Sequence, residues 1–103
     1  MEFLVEIEVR LPAGLEPGER DRLLAAEASR GTELAREGVL RAIWRVPGRF
    51  ANCAIWSAPD ATVLHSALTS LPLWPYLDVE VTALARHDLA GSCPGIPAGQ
   101  EVS

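Results

Sequence analysis

No apolar run in this chain approaches the roughly 20 residues that a membrane-spanning helix needs. Nor does a basic stretch followed by an apolar one mark a secretory signal. Basic charge is in short supply: nine Lys plus Arg stand against fourteen Asp plus Glu, giving a net charge of −5 and a sequence pI near 4.9. A nucleic-acid partner and a membrane partner are therefore not expected. Cysteine is scarce as well, with Cys53 in a strand-like stretch and Cys93 in the C-terminal segment. There is no CxxC pair and no neighbouring pair of histidines, so no zinc or other metal site is read. Two reduced thiols in a cytoplasmic protein are expected instead. Also missing are the nucleophile elbow GxSxG, the P-loop, the dinucleotide fingerprint, HExxH and any repeat at a solenoid period. Without a Ser/His/Asp order or a metal cluster, the simplest enzyme such a chain could be is a cofactor-free proton-transfer catalyst.

What the chain does contain suffices for one domain with one core. Its 103 residues are 49% hydrophobic and 22% charged, the proportions of an ordinary globular protein. Residues 2–10 alternate, Phe3, Val5, Ile7 and Val9 on one face against Glu2, Glu6, Glu8 and Arg10, which predicts a half-buried strand. After the Pro/Gly connection LPAGLEPG, residues 19–37 are rich in Ala, Leu, Glu and Arg and predict a helix. Leu23 and Leu34 mark its buried stripe, with Leu24, Ala28 and Ala35 beside them, and Gly38 ends it. Gly31 is a weak point inside this helix, costing roughly 1 kcal/mol against Ala, and predicts a close approach to the sheet. The stretch 40–52, LRAIWRVPGRFAN, reads as two strands joined at Pro47-Gly48, a hairpin expected mid-sheet. Trp44 and Arg45 are neighbours on a strand and leave from opposite faces. One face is expected to line the core and the other to present guanidinium groups.

A second helix follows, capped by Ser57 or Asp60 and carrying Leu64, Leu68 and Leu71 on one face. Pro72 and Pro75 stop it, and a last alternating strand runs from Tyr76 to about Arg86. The order β-α-β-β-α-β predicts an α+β domain of ferredoxin-like type over residues 1–87, a four-stranded antiparallel sheet with two helices on one face. Residues 88–103 have too little periodic apolar content to fold alone and read as a flexible or subunit-swapped tail. The sheet's other face, half bare, predicts a homo-oligomer.

The first chemical candidate is Glu27, four residues after Leu23 and seven before Leu34, and so on the stripe that faces the sheet. Burial there raises a carboxyl pKa, which suits a general base near neutral pH. A structural ion pair with Arg41, Arg45 or Arg49 is the other reading. Arg45 and Arg49 suit bidentate capture of a carboxylate, or simple pairing with the acids of the outer strands. Asn52 can satisfy a turn or donate to a ligand oxygen. Trp44, Trp56 and Trp74 read as core or interface anchors, with pocket lining as the alternative. His65 reads as a partly buried structural group.

These residues resemble muconolactone Δ-isomerase, a family of the catechol branch of the β-ketoadipate pathway of aromatic hydrocarbon catabolism. The resemblance is carried by Glu27 in its AxE helix, LAREG (34–38), IWRVPGRFAN (43–52), Leu64-His65, LPLWPY (71–76) and EVTALARH (80–87). It implies a ferredoxin-like subunit, dimers assembled into a decamer, no cofactor, and a small lactone carboxylate as substrate. The implied reaction is a 1,3 proton shift that converts muconolactone into 3-oxoadipate enol-lactone. A base removes a ring proton, a dienolate forms, and the proton returns two carbons away. In that scheme Glu27 is the base, Arg45 the carboxylate clamp, and Asn52 and Tyr76 polar donors. Trp44 walls the pocket and Arg49 adds to the substrate-binding set. The family pattern has a lysine three positions before the glutamate, where this chain has Leu24. It has Trp, His and Tyr where this chain has Leu40, Ala42 and Cys53. These departures point to a more apolar pocket, and so to the alternative of an isomerase or cyclase for a different, more apolar substrate. A non-catalytic oligomeric binding domain of the same fold is the third reading.

Overall fold

A computed structural model describes residues 1–94. Strand β1 (Glu2–Val9) is followed by helix α1 (Pro17–Arg36), strands β2 (Leu40–Arg45) and β3 (Ala51–Ser57), helix α2 (Ala61–Thr69) and strand β4 (Leu77–Leu84). Short 3-10 turns lie at Trp74–Tyr76 and Ala90–Ser92. The four strands pair antiparallel in the order β2-β3-β1-β4. This is the ferredoxin-like α+β architecture expected from the element order.

Register decides which side chains meet. In β1, Phe3, Val5 and Ile7 stand opposite Trp56, Ala54 and Asn52 of β3, and these rows face the helices. Phe3, Val5, Ala54 and Trp56 join Leu34 of α1 with Leu64 and Leu68 of α2 in one buried cluster, so both helices cover the same face. Each large side chain removed from water in this way contributes about 2 kcal/mol. The edges of the sheet are β2 and β4. The 40–52 hairpin is therefore not mid-sheet: the return from α2 brings β4 to the far side of β1, leaving β2 paired on one side alone. Glu80 to Leu84 are exposed throughout, because the helices cover β4 only at its start, where Leu77 and Val79 pack against the core.

Local sequence accounts for the punctuation. Pro17 opens α1, where its missing N–H costs nothing. Gly38 ends it at φ 79°, a conformation that a side chain disfavours. At the hairpin Gly48 has φ 78° after Pro47, and the Arg49 N–H bonds to the Val46 carbonyl at 3.3 Å, closing the turn. Asp60 caps α2 by accepting the Val63 N–H at 2.9 Å. Asp60→Ala is expected to lower stability by about 1 kcal/mol in chemical denaturation, with an unchanged m-value.

Two sequence expectations for α1 need correction. Of its stripe only Leu34 is buried, while Ala28 and Ala35 are exposed and Leu23 and Leu24 half-buried. Gly31 makes no close approach to the sheet: a Cβ built there would meet nothing within 4 Å. For Leu24, Ala28 and Gly31 the cause is a cleft between the middle of α1 and the sheet, which all three border.

Candidate active site

The cleft has a volume of about 390 Å³. Its floor is the helix-facing side of the sheet, with Ile7 of β1, Ile43 and Arg45 of β2, and Asn52 and Trp56 of β3. The roof is α1, which brings Leu24, Glu27, Ala28 and Gly31 to it at helical spacing. Leu71 and Leu73 from the segment joining α2 to β4, with Leu77 at the start of β4, close one end. Two ionisable side chains, Glu27 and Arg45, stand in an otherwise mainly apolar lining.

Glu27 is held in place rather than free in solvent. Its Oε1 accepts the Leu73 N–H at 3.0 Å, tying α1 to the α2–β4 connection. A second tie runs beside it, Arg30 Nε donating to Ser70 Oγ at 3.0 Å. Burial pushes the Glu27 carboxyl above its ordinary value of 4.5, and the Leu73 hydrogen bond pulls the other way without cancelling the effect. Burial of the charge, not a neighbouring guanidinium, therefore sets its basicity. One oxygen is fixed by the backbone, which leaves the other for a proton.

Arg45 stands opposite Asn52 in the β2–β3 ladder, on the helix-facing side. Among the described residues it makes no ion pair or hydrogen bond. A guanidinium facing a cleft without a carboxylate of its own is suited to a carboxylate ligand. Trp44 belongs to the cleft lining at the β2 edge, although its register with Cys53 turns its side chain toward the face away from the helices. The expected division of faces is thus reversed: the guanidinium of Arg45 stands over the cleft and the indole of Trp44 on the open side.

Asn52 borders the cleft, and its Oδ1 is shut off from solvent without a hydrogen-bond partner. Trp56, at 3% exposure, shares that condition at Nε1. Native proteins seldom leave such groups unpaired, and β3 carries two of them, each buried within a residue that borders the cleft. Trp56, read from the sequence as a core or interface anchor with pocket lining as the alternative, is both buried and part of the cleft lining. Its even spacing from Asn52 along β3 is the signal that puts both on one face.

Two sequence candidates fall outside the cleft. Arg49 pairs with Glu8 on the open face, where Arg10 also bridges Glu8 at 3.3 Å and Asp78 at 3.5 Å. Its acids were within reach across β1 and β4, and simple pairing is the reading that holds for it. Tyr76 lies in the turn before β4 and is not part of the cleft lining. His65 is exposed, not partly buried, and meets Trp74 edge-on with ring centroids 6.0 Å apart. Both cysteines are free thiols. No described helix is long and apolar enough to cross a membrane.

Comparison with known proteins places this architecture. The family model described as muconolactone delta-isomerase matches residues 1–90. A muconolactone Delta-isomerase of Pseudomonas aeruginosa is 41% identical over 84% of this chain and 91% of its own length. Muconolactone Delta-isomerase 2 of Acinetobacter lwoffii is 42% identical over the same shares. A crystal structure of muconolactone isomerase superposes with a TM-score of 0.81 at 40% identity, covering 85% of this chain and 92% of that one. With its fold and nine-tenths of its relatives' length shared, this chain belongs to the muconolactone Δ-isomerase family of enzymes.

Proposed function

We propose that the chain is a cofactor-independent isomerase that shifts a proton across an unsaturated γ-lactone bearing an acetate arm, with muconolactone as substrate and 3-oxoadipate enol-lactone as product. The observation that carries the reading is the meeting in one apolar cleft of a carboxyl of raised pKa, Glu27, with a cation, Arg45, that has no ion pair or hydrogen bond among the described residues. The relatives' names supply the reaction. The cleft supplies groups in the kinds that reaction needs.

Arg45 takes the acetate carboxylate through a two-pronged hydrogen bond, which fixes the ring over β3 and under α1. The free oxygen of Glu27 removes the proton from the ring carbon that carries the arm. Electrons move through the ring double bond onto the lactone carbonyl oxygen, and the amide of Asn52 donates to the charge that develops there. The same carboxyl then returns the proton two carbons away, so no net proton is exchanged and no cofactor is called for. Apolar walls keep the dienolate from water and hold Glu27 basic enough to begin the cycle.

Homo-oligomerisation is part of the proposal, dimer units and possibly a decamer. Its support is the exposed apolar surface of Ile43, Phe50, Val81 and Leu84, on or beside the two edge strands. We also propose a cytoplasmic location and a domain limit near residue 87, with the remainder as a tail. Residues 95–103 of that tail lie outside the described residues.

The test is a spectrophotometric assay with purified muconolactone. Isomerisation at an enzymatic rate is expected, and none from folded protein would overturn the proposal. The acid limb of kcat/KM should lie above pH 4.5, since Glu27 must be ionised to act and burial raises its pKa. A limb at or below that value would remove Glu27 as the base.

A further inference from the structure

Gly31 has no evident structural duty. It sits within α1, where glycine is the poorest helix former after proline. Among the described residues only Gly38 and Gly48 have positive φ, so backbone conformation does not call for glycine at 31. Packing does not call for it either, since an added Cβ would have no atom within 4 Å. What the position does have is a place in the cleft lining, one helical turn beyond Glu27 on the same face. The missing side chain therefore leaves empty volume at a position whose Cα lies roughly 6 Å along the helix axis from that of Glu27. The neighbouring lining on α1 is also slim, with Ala28 beside it. Muconolactone fills roughly 170 Å³ at the packing density of a protein interior, less than half of the 390 Å³ present.

We infer that Gly31 determines substrate size, and that the cleft is shaped for a γ-lactone acetate carrying an additional apolar substituent on its ring, seated against Ala28 and Gly31. The inference rests on the isomerase reading and narrows its substrate class. The ring carbon between the two that exchange the proton is where such a group does not obstruct the chemistry. A substituent there remains within a helical turn of Glu27. Apolar walls at Leu24, Ile43 and Leu73 receive it without stranding a polar group.

The experiment compares kcat/KM for muconolactone and for its analogue with an ethyl group on that middle ring carbon, using the native chain, Gly31→Ala and Gly31→Leu. The native chain is expected to use the ethyl lactone at least as well as muconolactone. In Gly31→Leu the ratio of ethyl lactone to muconolactone should fall by 10-fold or more, because the leucine occupies the space the ethyl group needs. Gly31→Ala should fall between the two and melt about 4 °C higher than the native chain, since the helix improves and nothing is displaced. The size assignment is overturned if the native chain prefers muconolactone by 10-fold or more, if Gly31→Leu leaves the ratio unchanged, or if Gly31→Ala melts lower. In all three cases turnover of muconolactone by the native chain keeps the isomerase reading standing. If the native chain isomerises neither lactone, both readings fall.

Discussion

Glu27→Gln is expected to lower kcat for muconolactone by at least about 10²-fold while the protein stays folded. The amide cannot accept the ring proton, yet its oxygen can still take the Leu73 N–H that Glu27 Oε1 now accepts at 3.0 Å. The tie between α1 and the α2–β4 segment is thus preserved. Glu27→Ala is a poorer probe, since it leaves that N–H unsatisfied and mixes a structural loss with the chemical one. The same substitution has a signature in stability. Burial raises the Glu27 pKa above 4.5, so the folded chain binds this proton more tightly than the unfolded one. The contribution of this residue to stability is then fully present below the unfolded value and is lost as pH rises through the folded one. Gln carries no charge to desolvate, so the variant should melt no lower than the native chain at neutral pH, and its advantage should shrink on acidification. A scan of melting temperature against pH, beside the rate assay, checks both halves. A variant with near-native kcat would show that the proton moves through some other group.

How much of this was legible beforehand depends on which distances matter. The β-α-β-β-α-β order, the Asp60 cap, the Pro17 start and the positive-φ glycines at 38 and 48 are local, set by a few neighbouring residues, and the structure has them where the pattern put them. Glu27 was legible for the same reason, because a carboxylate on the stripe between Leu23 and Leu34 must face the sheet. Alternation along β2 showed that Trp44 and Arg45 part company, but not which face the helices would cover. That choice depends on the pairing of β3 with β1, a long-range contact on which the hairpin itself has no bearing. The positions of Arg49 and Tyr76 off the cleft were hidden for the same reason: Arg49 is drawn to Glu8, far away in the chain, and Tyr76 lies in the turn before β4. Gly31 was misread because a helical glycine signals close packing as readily as empty space, and only the path of α1 over the sheet tells them apart. Leu24, which stands where the family pattern has a lysine, lines the mainly apolar cleft, as does Leu40 in place of a tryptophan.

Replacing Arg45 by methionine should reduce kcat/KM by about 30- to 100-fold, equal to about 2–3 kcal/mol, the lower part of the range for removing one partner of a hydrogen-bonded charge pair. The lower part applies because Arg45 is an exposed residue at the mouth of the cleft, where water screens the pair. Most of the loss should appear as a higher KM. The acetate arm takes no part in the electron movement, so its carboxylate is held equally in ground and transition states, and uniform binding of that kind leaves kcat nearly as it was. Arg45→Lys should recover part of the loss and no more, since an ammonium restores the charge but not the two-pronged geometry. Folding should be indifferent, because Arg45 has no ion pair or hydrogen bond among the described residues to lose. A fall in kcat with unchanged KM would place Arg45 at the dienolate oxygen instead of the acetate arm, and an unchanged kcat/KM would leave the substrate carboxylate without its cation.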